Sequence, residues 1–232
     1  MKITIKFLFA FLFLFSFENG EAQTRTKTNF GSDWEFRKEG QDTWEKVTLP
    51  HTANIENLVV VKQFQGVSYY QKKFKANPSK ESKVFLYFEG VMSEAEVFIN
   101  NQKAANHKGG YLPFTVDVTP YLNKDSDNLV TLKVTNVDNP EIPPGKAIKD
   151  LDFNFYGGIY RNVYLITTNK LFITDPVHVN KKASGGVFVN FNSVSKNKAE
   201  GIIKVHLKNE FSKKQSLYLK YTLTSKSGKK FE

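Results

Sequence analysis

The 232-residue chain contains no cysteine. Its absence excludes disulfides, thiolate metal sites, a cysteine nucleophile and lipid attachment through an N-terminal cysteine. Stability must come from the core alone. Helical periodicity is equally scarce, since no window of a dozen residues carries a clear 3.6-residue apolar repeat. After the first seventeen residues no apolar run approaches membrane-spanning length, so a soluble protein without a membrane span is expected. Arginine is missing from residues 171–232, although twelve lysines stand there against four acidic residues. The net charge of +10 is therefore local. Lysines spread singly or in pairs between apolar residues fit the wet faces of strands. Without arginine forks or a stacking platform they do not make a nucleic-acid site.

What is present begins with Lys2 and Lys6, an apolar run from Phe7 to Phe17, and small residues at Gly20 and Ala22. This is the layout of an export signal cleaved near Ala22, which would place the mature protein in the periplasm or outside the cell. The competing reading, a membrane anchor, fits poorly. Eleven apolar residues rise only about 16 Å as a helix, roughly half a bilayer core.

Period-two patterning governs the rest. Phe114–Thr119 and Leu132–Thr135 alternate apolar and polar residues as half-buried strands do. Val84–Phe88 and Val97–Ile99 are continuous β-branched and aromatic runs suited to strands covered on both sides. Asn100-Asn101 predicts a tight hairpin, because asparagine tolerates left-handed backbone. About eight strands between Trp34 and Thr167 predict an all-β, jelly-roll sandwich, with Ile159–Thr167 as its last strand. The exception is a long, proline-bearing connection from Asn136 to Gly158, of a length that often serves function. Beyond a boundary near Asn169-Lys170, strands are expected over Gly186–Phe191, Gly201–Leu207 and Ser216–Leu223. These suit an immunoglobulin-like sandwich, but residues 171–232 are too few for a whole one, so a partial domain in a truncated sequence is expected. The parse is a signal over 1–22, a jelly-roll domain over 23–170 and a partial immunoglobulin-like domain over 171–232.

Five stretches resemble, in the same order, the N-terminal region of glycoside hydrolase family 2, the β-galactosidase and β-glucuronidase family. They are Val47–Thr52, Tyr69–Phe74, Phe88–Val91 leading to Ala95–Asn100, His107–Phe114, and Tyr156–Val163. The resemblance implies a galactose-binding-domain-like jelly roll that, with an immunoglobulin-like domain, precedes a catalytic (β/α)8 barrel bearing two glutamates. Nothing in this chain matches the barrel. Retaining hydrolysis needs two carboxyl groups about 5 Å apart in a pocket. Glu94 and Glu96, two apart on one strand, point at solvent or a partner strand instead. No catalytic residue is expected here, and the chain alone should be inactive.

The resemblance also implies a substrate-binding residue. β-Galactosidases of the family carry an acidic residue six positions before the glycine of the Gly-Ile-(aromatic)-Arg motif, on a loop reaching the barrel's pocket. Counting back from Gly158 gives Asp152, beside Phe155 and Tyr156. A carboxylate accepts sugar hydroxyls and aromatic rings cover sugar faces; the bland alternative is that Asp152 caps a turn. Gly157, Gly158 and Arg161 form the structural part of the motif, the glycines allowing a tight bend and Arg161 forking onto carbonyls or a carboxylate. A structural role is likewise expected for His51 and His107, the latter bonding to backbone in a surface turn. No cofactor is implied, and a single aspartate establishes no metal site. The leading expectation is the front part of an exported, β-galactosidase-like hydrolase of O-glycosyl bonds, whose partners are a carbohydrate and the barrel of the same polypeptide. The alternatives are a freestanding carbohydrate-binding module and, last, a surface adhesion protein.

Overall fold

The computed structural model describes residues 25–55 and 63–231. The expected export signal lies outside the described residues. Ten strands build the first unit: β1 (Thr26–Asn29), β2 (Trp34–Lys38), β3 (Glu45–Val47), β4 (Val67–Lys75), β5 (Ser82–Phe88), β6 (Glu94–Ile99), β7 (Gln102–Lys108), β8 (Phe114–Asp117), β9 (Asp127–Thr135) and β10 (Val163–Asn169). They form a six-stranded sheet, β3-β2-β4-β9-β6-β7, and a four-stranded sheet, β1-β10-β5-β8, both antiparallel. The all-β sandwich expected from period-two patterning is what folds.

Alternation fixes which face is inward. In register across the six-stranded sheet, Tyr70 opposes Leu132 and Leu132 opposes Val97, and all three are buried. The opposite sheet supplies Val84, Leu86, Phe88, Val116 and Val163 to the same core. Edge-to-face contacts of Phe30 with Trp34 and Phe74 close one region of it, and the Trp34 indole N–H donates to the Phe30 carbonyl at 2.7 Å. The β6–β7 hairpin turns at Asn100-Asn101 with φ of 49° and 65°, as expected. Asn100 has a second task. Its amide donates to the buried Asn128 side chain and the Tyr121 carbonyl, and its oxygen accepts from Leu129 N–H.

Two sequence expectations shift in this unit. Phe114–Thr119 stays extended only to Asp117, because Asp117 Oδ1 accepts from Thr119 N–H and Pro120 opens a 3-10 turn over Thr119–Tyr121. The last strand starts at Val163 rather than Ile159, because Gly158 and Ile159 spend their backbone bonds elsewhere, described below.

The second unit comprises β11 (Leu171–Ile173) paired with β14 (Leu207–Asn209), helix α1 (Pro176–Val179), a ribbon of β12 (Val187–Val194) and β13 (Ala199–Val205), and a short ribbon of β15 (Leu223–Thr224) and β16 (Lys230–Phe231). Asp175 caps α1, accepting from Val177 and His178 N–H. The strand expected over Ser216–Leu223 does not form: only Leu223 is extended with a partner, and Leu217, Tyr218, Leu219 and Tyr221 are all at least 40% exposed. A strand needs a neighbour for its backbone groups, and among the described residues no strand pairs with 216–222.

Part of this unit covers the outer face of the four-stranded sheet. Phe172 and His178 lie against the Phe85 ring at 5.7 and 5.8 Å, and His178 Nδ1 bonds the Thr115 carbonyl. Hence Val84, Phe85, Leu86 and Phe88 are all buried, as a run with apolar residues on both faces requires. Lys83, also on the outer face, donates to Asp117 in β8 and to Glu210 after β14, tying the two units by an ion cluster.

Candidate functional site

The five ordered stretches meet at one end of the sandwich, around Gly157–Asn162. Leu49–Ala53 runs along one side: His51 N–H donates to the Ile159 carbonyl and Ala53 N–H to the Gly157 carbonyl. Val91–Ser93 runs along the other, with Met92 and Gly158 exchanging both backbone bonds. The strand leading out is tied in turn, since Glu89 N–H donates to the Asn162 carbonyl and the Asn162 amide to the Glu89 carboxylate. The Tyr160 hydroxyl donates to the Gly110 carbonyl at 2.6 Å, which brings in the His107–Phe114 stretch.

This crowding explains the glycines. A Cβ on Gly157 would sit 2.5 Å from the Asn136 amide nitrogen, and one on Gly158 would sit 2.5 Å from the Tyr70 hydroxyl, at a φ of +125°. Their chief role is close approach of three chain segments, more than the bend read from the sequence. Asn136, which the sequence reading passed over, anchors the start of the long loop: its oxygen accepts from Gly66 N–H and its amide donates to the Phe64 carbonyl. Its only sequence signal is its place directly after a strand that feeds the loop.

The histidines are structural here. His51 packs on Phe36 and meets the Tyr70 hydroxyl at 2.9 Å through Nδ1. His107 stacks on Phe114 at 4.2 Å while Nε2 bonds the Gly109 carbonyl. Burial lowers the pKa of both and raises that of Tyr70. Arg161 departs from expectation. It precedes β10 rather than lying in it, is exposed, and places its guanidinium over the Tyr160 ring with no ion pair among the described residues.

The long loop from Asn136 to Gly158 is held at its base and open further on. Asp138 Oδ1 accepts from Ile148 N–H, Asn139 donates to Glu94, and Ile142 is buried. Past the 3-10 turn Ile148–Asp150, Asp152, Phe153 and Asn154 are exposed. The Asp152 carboxylate has no hydrogen bond or ion pair among the described residues, so it caps no turn. Phe155 and Tyr156, half-buried, lead back to Gly157. The loop thus offers a carboxylate with free lone pairs beside aromatic side chains, on an arm fixed at both ends.

Glu94 and Glu96 are committed elsewhere. Glu94 accepts from Asn139, and Glu96 is paired with Lys103 and Lys133. The Lys103 hydrogen bond holds the Glu96 carboxyl below its ordinary pKa, the opposite of what a general acid needs. No cluster of three or more His, Asp and Glu suited to a metal occurs among the described residues, and none of their helices is long and apolar enough to cross a membrane.

Known proteins resemble this chain in sequence and fold. Residues 17–169 match the family model described as "Glycosyl hydrolases family 2, sugar binding domain". A β-galactosidase of Thermoanaerobacter pseudethanolicus is 33% identical over 173 residues, 68% of this chain and 23% of its own length. A β-glucuronidase of Bacteroides fragilis is 35% identical over 183 residues, 77% of this chain and 25% of its own. Among solved structures, one from Bacteroides fragilis aligns with a TM-score of 0.72 at 32% identity, over 89% of this chain and 32% of that one. Bacteroides uniformis β-glucuronidase 2, covalently bound to cyclophellitol-6-carboxylate aziridine, gives 0.69 at 26% identity, over 81% and 23%. The chain spans about a quarter of the length of these curated relatives. On the family model and on relatives more than 30% identical over two thirds of its length, this chain belongs to glycoside hydrolase family 2 and carries its N-terminal sugar-binding domain.

Proposed function

We propose that this chain is the N-terminal part of an exported glycoside hydrolase that cleaves O-glycosyl bonds, β-galactosidase-like in substrate, and that it supplies scaffold and one loop of the substrate pocket rather than the catalytic carboxylates. The observation that carries this reading is Asp152: an exposed, unpartnered carboxylate on a loop whose two ends are pinned by Asn136 and Gly157-Gly158. A carboxylate so presented accepts two sugar hydroxyls at little reorganisation cost, with the pinned ends limiting the entropy lost on binding. Relatives bearing both β-galactosidase and β-glucuronidase names leave the carbohydrate class broad, and a carboxylate favours a neutral galactoside over an anionic glucuronide. Partition into a domain over 23–170 and a partial immunoglobulin-like domain over 171–232 belongs to the same proposal, as does removal of residues 1–22 on export. N-terminal sequencing of the secreted protein should begin at Gln23.

In the polypeptide that carries this region together with its barrel, Asp152→Asn should lower kcat/KM toward aryl β-galactosides by about ten- to a hundredfold, the worth of a hydrogen bond to a charged group. Its unfolding midpoint should not move. The chain by itself should turn over neither aryl β-galactosides nor aryl β-glucuronides; turnover by it would overturn the non-catalytic role.

A further inference from the structure

The large apolar residues that the first unit leaves exposed gather at one end of it. Strands β5, β7 and β9 end there and β4, β6, β8 and β10 begin there, as their antiparallel registers require. Among the described residues of 25–170, Ile55, Tyr111, Leu112, Val137 and Phe153 are the exposed large apolar side chains, each at least 41% accessible. All five lie in connections at this end; the bond from Ala53 N–H to the Gly157 carbonyl brings in the segment that carries Ile55. The turns at the opposite end, 30–33, 76–81, 100–101 and 118–126, expose no large apolar residue. Single apolar residues scattered over a surface need no explanation, but their confinement to one end marks a contact face.

Arg161 belongs to the same face. Its guanidinium lies over the Tyr160 ring, and the Tyr160 hydroxyl is bonded to the Gly110 carbonyl, which sets the arginine next to the Tyr111-Leu112 turn. A Cβ on Gly90 would lie 3.0 Å from the Arg161 and Tyr160 side chains alike, so the arginine stem is laid close along the backbone there. The Glu89 carboxylate accepts from the Asn162 amide, and Arg161 has no ion pair among the described residues. A guanidinium with a held stem and an unspent fork loses little freedom when a planar carboxylate meets it. Along 138–152 four carboxylates stand against two lysines, so the face has no basic field to attract a lipid surface or a nucleic acid. The Asp152 loop leaves and rejoins the sandwich at this end, which makes the face continuous with the loop already assigned to the barrel's pocket.

We infer that this end of the sandwich is the face on which the barrel of the same polypeptide docks, with the Tyr111-Leu112 turn as an apolar anchor and Arg161 forking onto a carboxylate of the barrel. The inference rests on the reading that this region works together with a barrel. Arg161 is then a positioning residue, holding the end that carries Asp152 against the pocket. The test is amide hydrogen exchange on this chain alone and on the full polypeptide. Residues 109–113, 152–154 and 160–162 should exchange at least about tenfold more slowly in the full polypeptide, while 118–126 exchange alike in both. In the full polypeptide, Arg161→Ala should return that protection toward the level of the chain alone, and Arg161→Lys should keep part of it. Added salt should weaken protection in the parent and leave it unchanged in Arg161→Ala. In the chain alone, Arg161→Ala should not move the urea midpoint, because the side chain has no ion pair there to lose. If it does, Leu112→Ser in the full polypeptide should lower the protection while leaving its salt dependence in place. Equal exchange with and without the barrel would overturn the inference. So would protection in the chain alone that grows with its concentration, which would assign the face to a second copy. Asp152→Asn keeps the two readings apart: lost turnover with an unprotected face sinks the docking and spares the pocket loop, and unchanged turnover with a protected face does the reverse.

Discussion

A side chain at position 158 would meet the Tyr70 hydroxyl at 2.5 Å and the His51 carbonyl at 2.8 Å, at a φ no L-residue adopts easily. Gly40 provides the control. Its φ of +81° is also left-handed, yet nothing lies within 4 Å of the position a Cβ would take. Gly40→Ala should therefore cost only the conformational part, about 1–2 kcal/mol. Gly158→Ala should cost that and the steric part, about 3 kcal/mol or more, with urea unfolding separating the two. At this scale the sequence was a good guide to residue type and a poor guide to reason. The paired glycines were legible as necessary, but the segments they admit, at Asn136, Tyr70 and His51–Ala53, lie about 20, 90 and 105 residues away along the chain, and no local pattern displays them. Arg161 was misread for a related cause: Ile159 and Val163 on either side of it are buried, but Gly157–Ile159 spend their backbone bonds on His51, Ala53 and Met92, and the strand does not start until Val163.

Among the elements, β5 shows what a continuous apolar run encodes. Val84–Phe88 was legible as covered on both faces because alternation fails there, while β4 and β9 announce one wet face each. Val97–Ile99 in β6 was expected to be covered on both sides too, but Phe98 is only half-buried, because among the described residues no second layer lies over the six-stranded sheet. The lysine at the start of β5 gave no such signal, since its two carboxylate partners arrive from β8 and from beyond β14. Burial alone would raise the Glu210 pKa, but hydrogen bonds from Lys208 and Lys83 outweigh it and the carboxyl ends below its ordinary 4.5. Lys83 is likewise pulled down by burial and lifted more by Asp117 and Glu210, ending above 10.5. The signs follow directly. Glu210 contributes stability present above pH 4.5 and lost as pH falls through its lower folded value, whereas the Lys83 contribution is present below pH 10.5 and lost as pH rises through its higher one. Urea unfolding of Glu210→Gln against the parent should show a stability deficit at neutral pH that closes in acid. A deficit of constant size would mean that the cluster contributes packing and no charge pairing.

The whole molecule divides by where its apolar surface lies. The first unit buries a core drawn from both sheets, whereas the exposed large apolar residues concentrate in the second: Val187, Val189 and Phe191 on β12, Ile202 and Ile203 on β13, and the stretch from Leu217 to Leu223. Contiguous apolar surface of this kind binds partners or dyes. An environment-sensitive hydrophobic dye should brighten on the full chain and much less on residues 25–170. Equal brightening would mean that the sheet face around Phe85, uncovered by the truncation, takes up as much dye as the ribbons do. Composition located the charge of this unit correctly, with its lysines exposed around the ribbons, but period-two patterning could not reveal that its inward faces lack a cover among the described residues.

The four-stranded sheet stands between two apolar layers, and the six-stranded sheet has one. Sequence drift should leave different traces on the two. Across β4, β6 and β9, homologous chains are free to exchange every second residue, so divergence should appear as a two-beat rhythm. Across Val84–Phe88, both beats are constrained, and the strand should change only as a block, in step with Phe172 and His178 above it. A substitution at Phe85 is thus a change to the junction between the two units as much as to the strand that carries it.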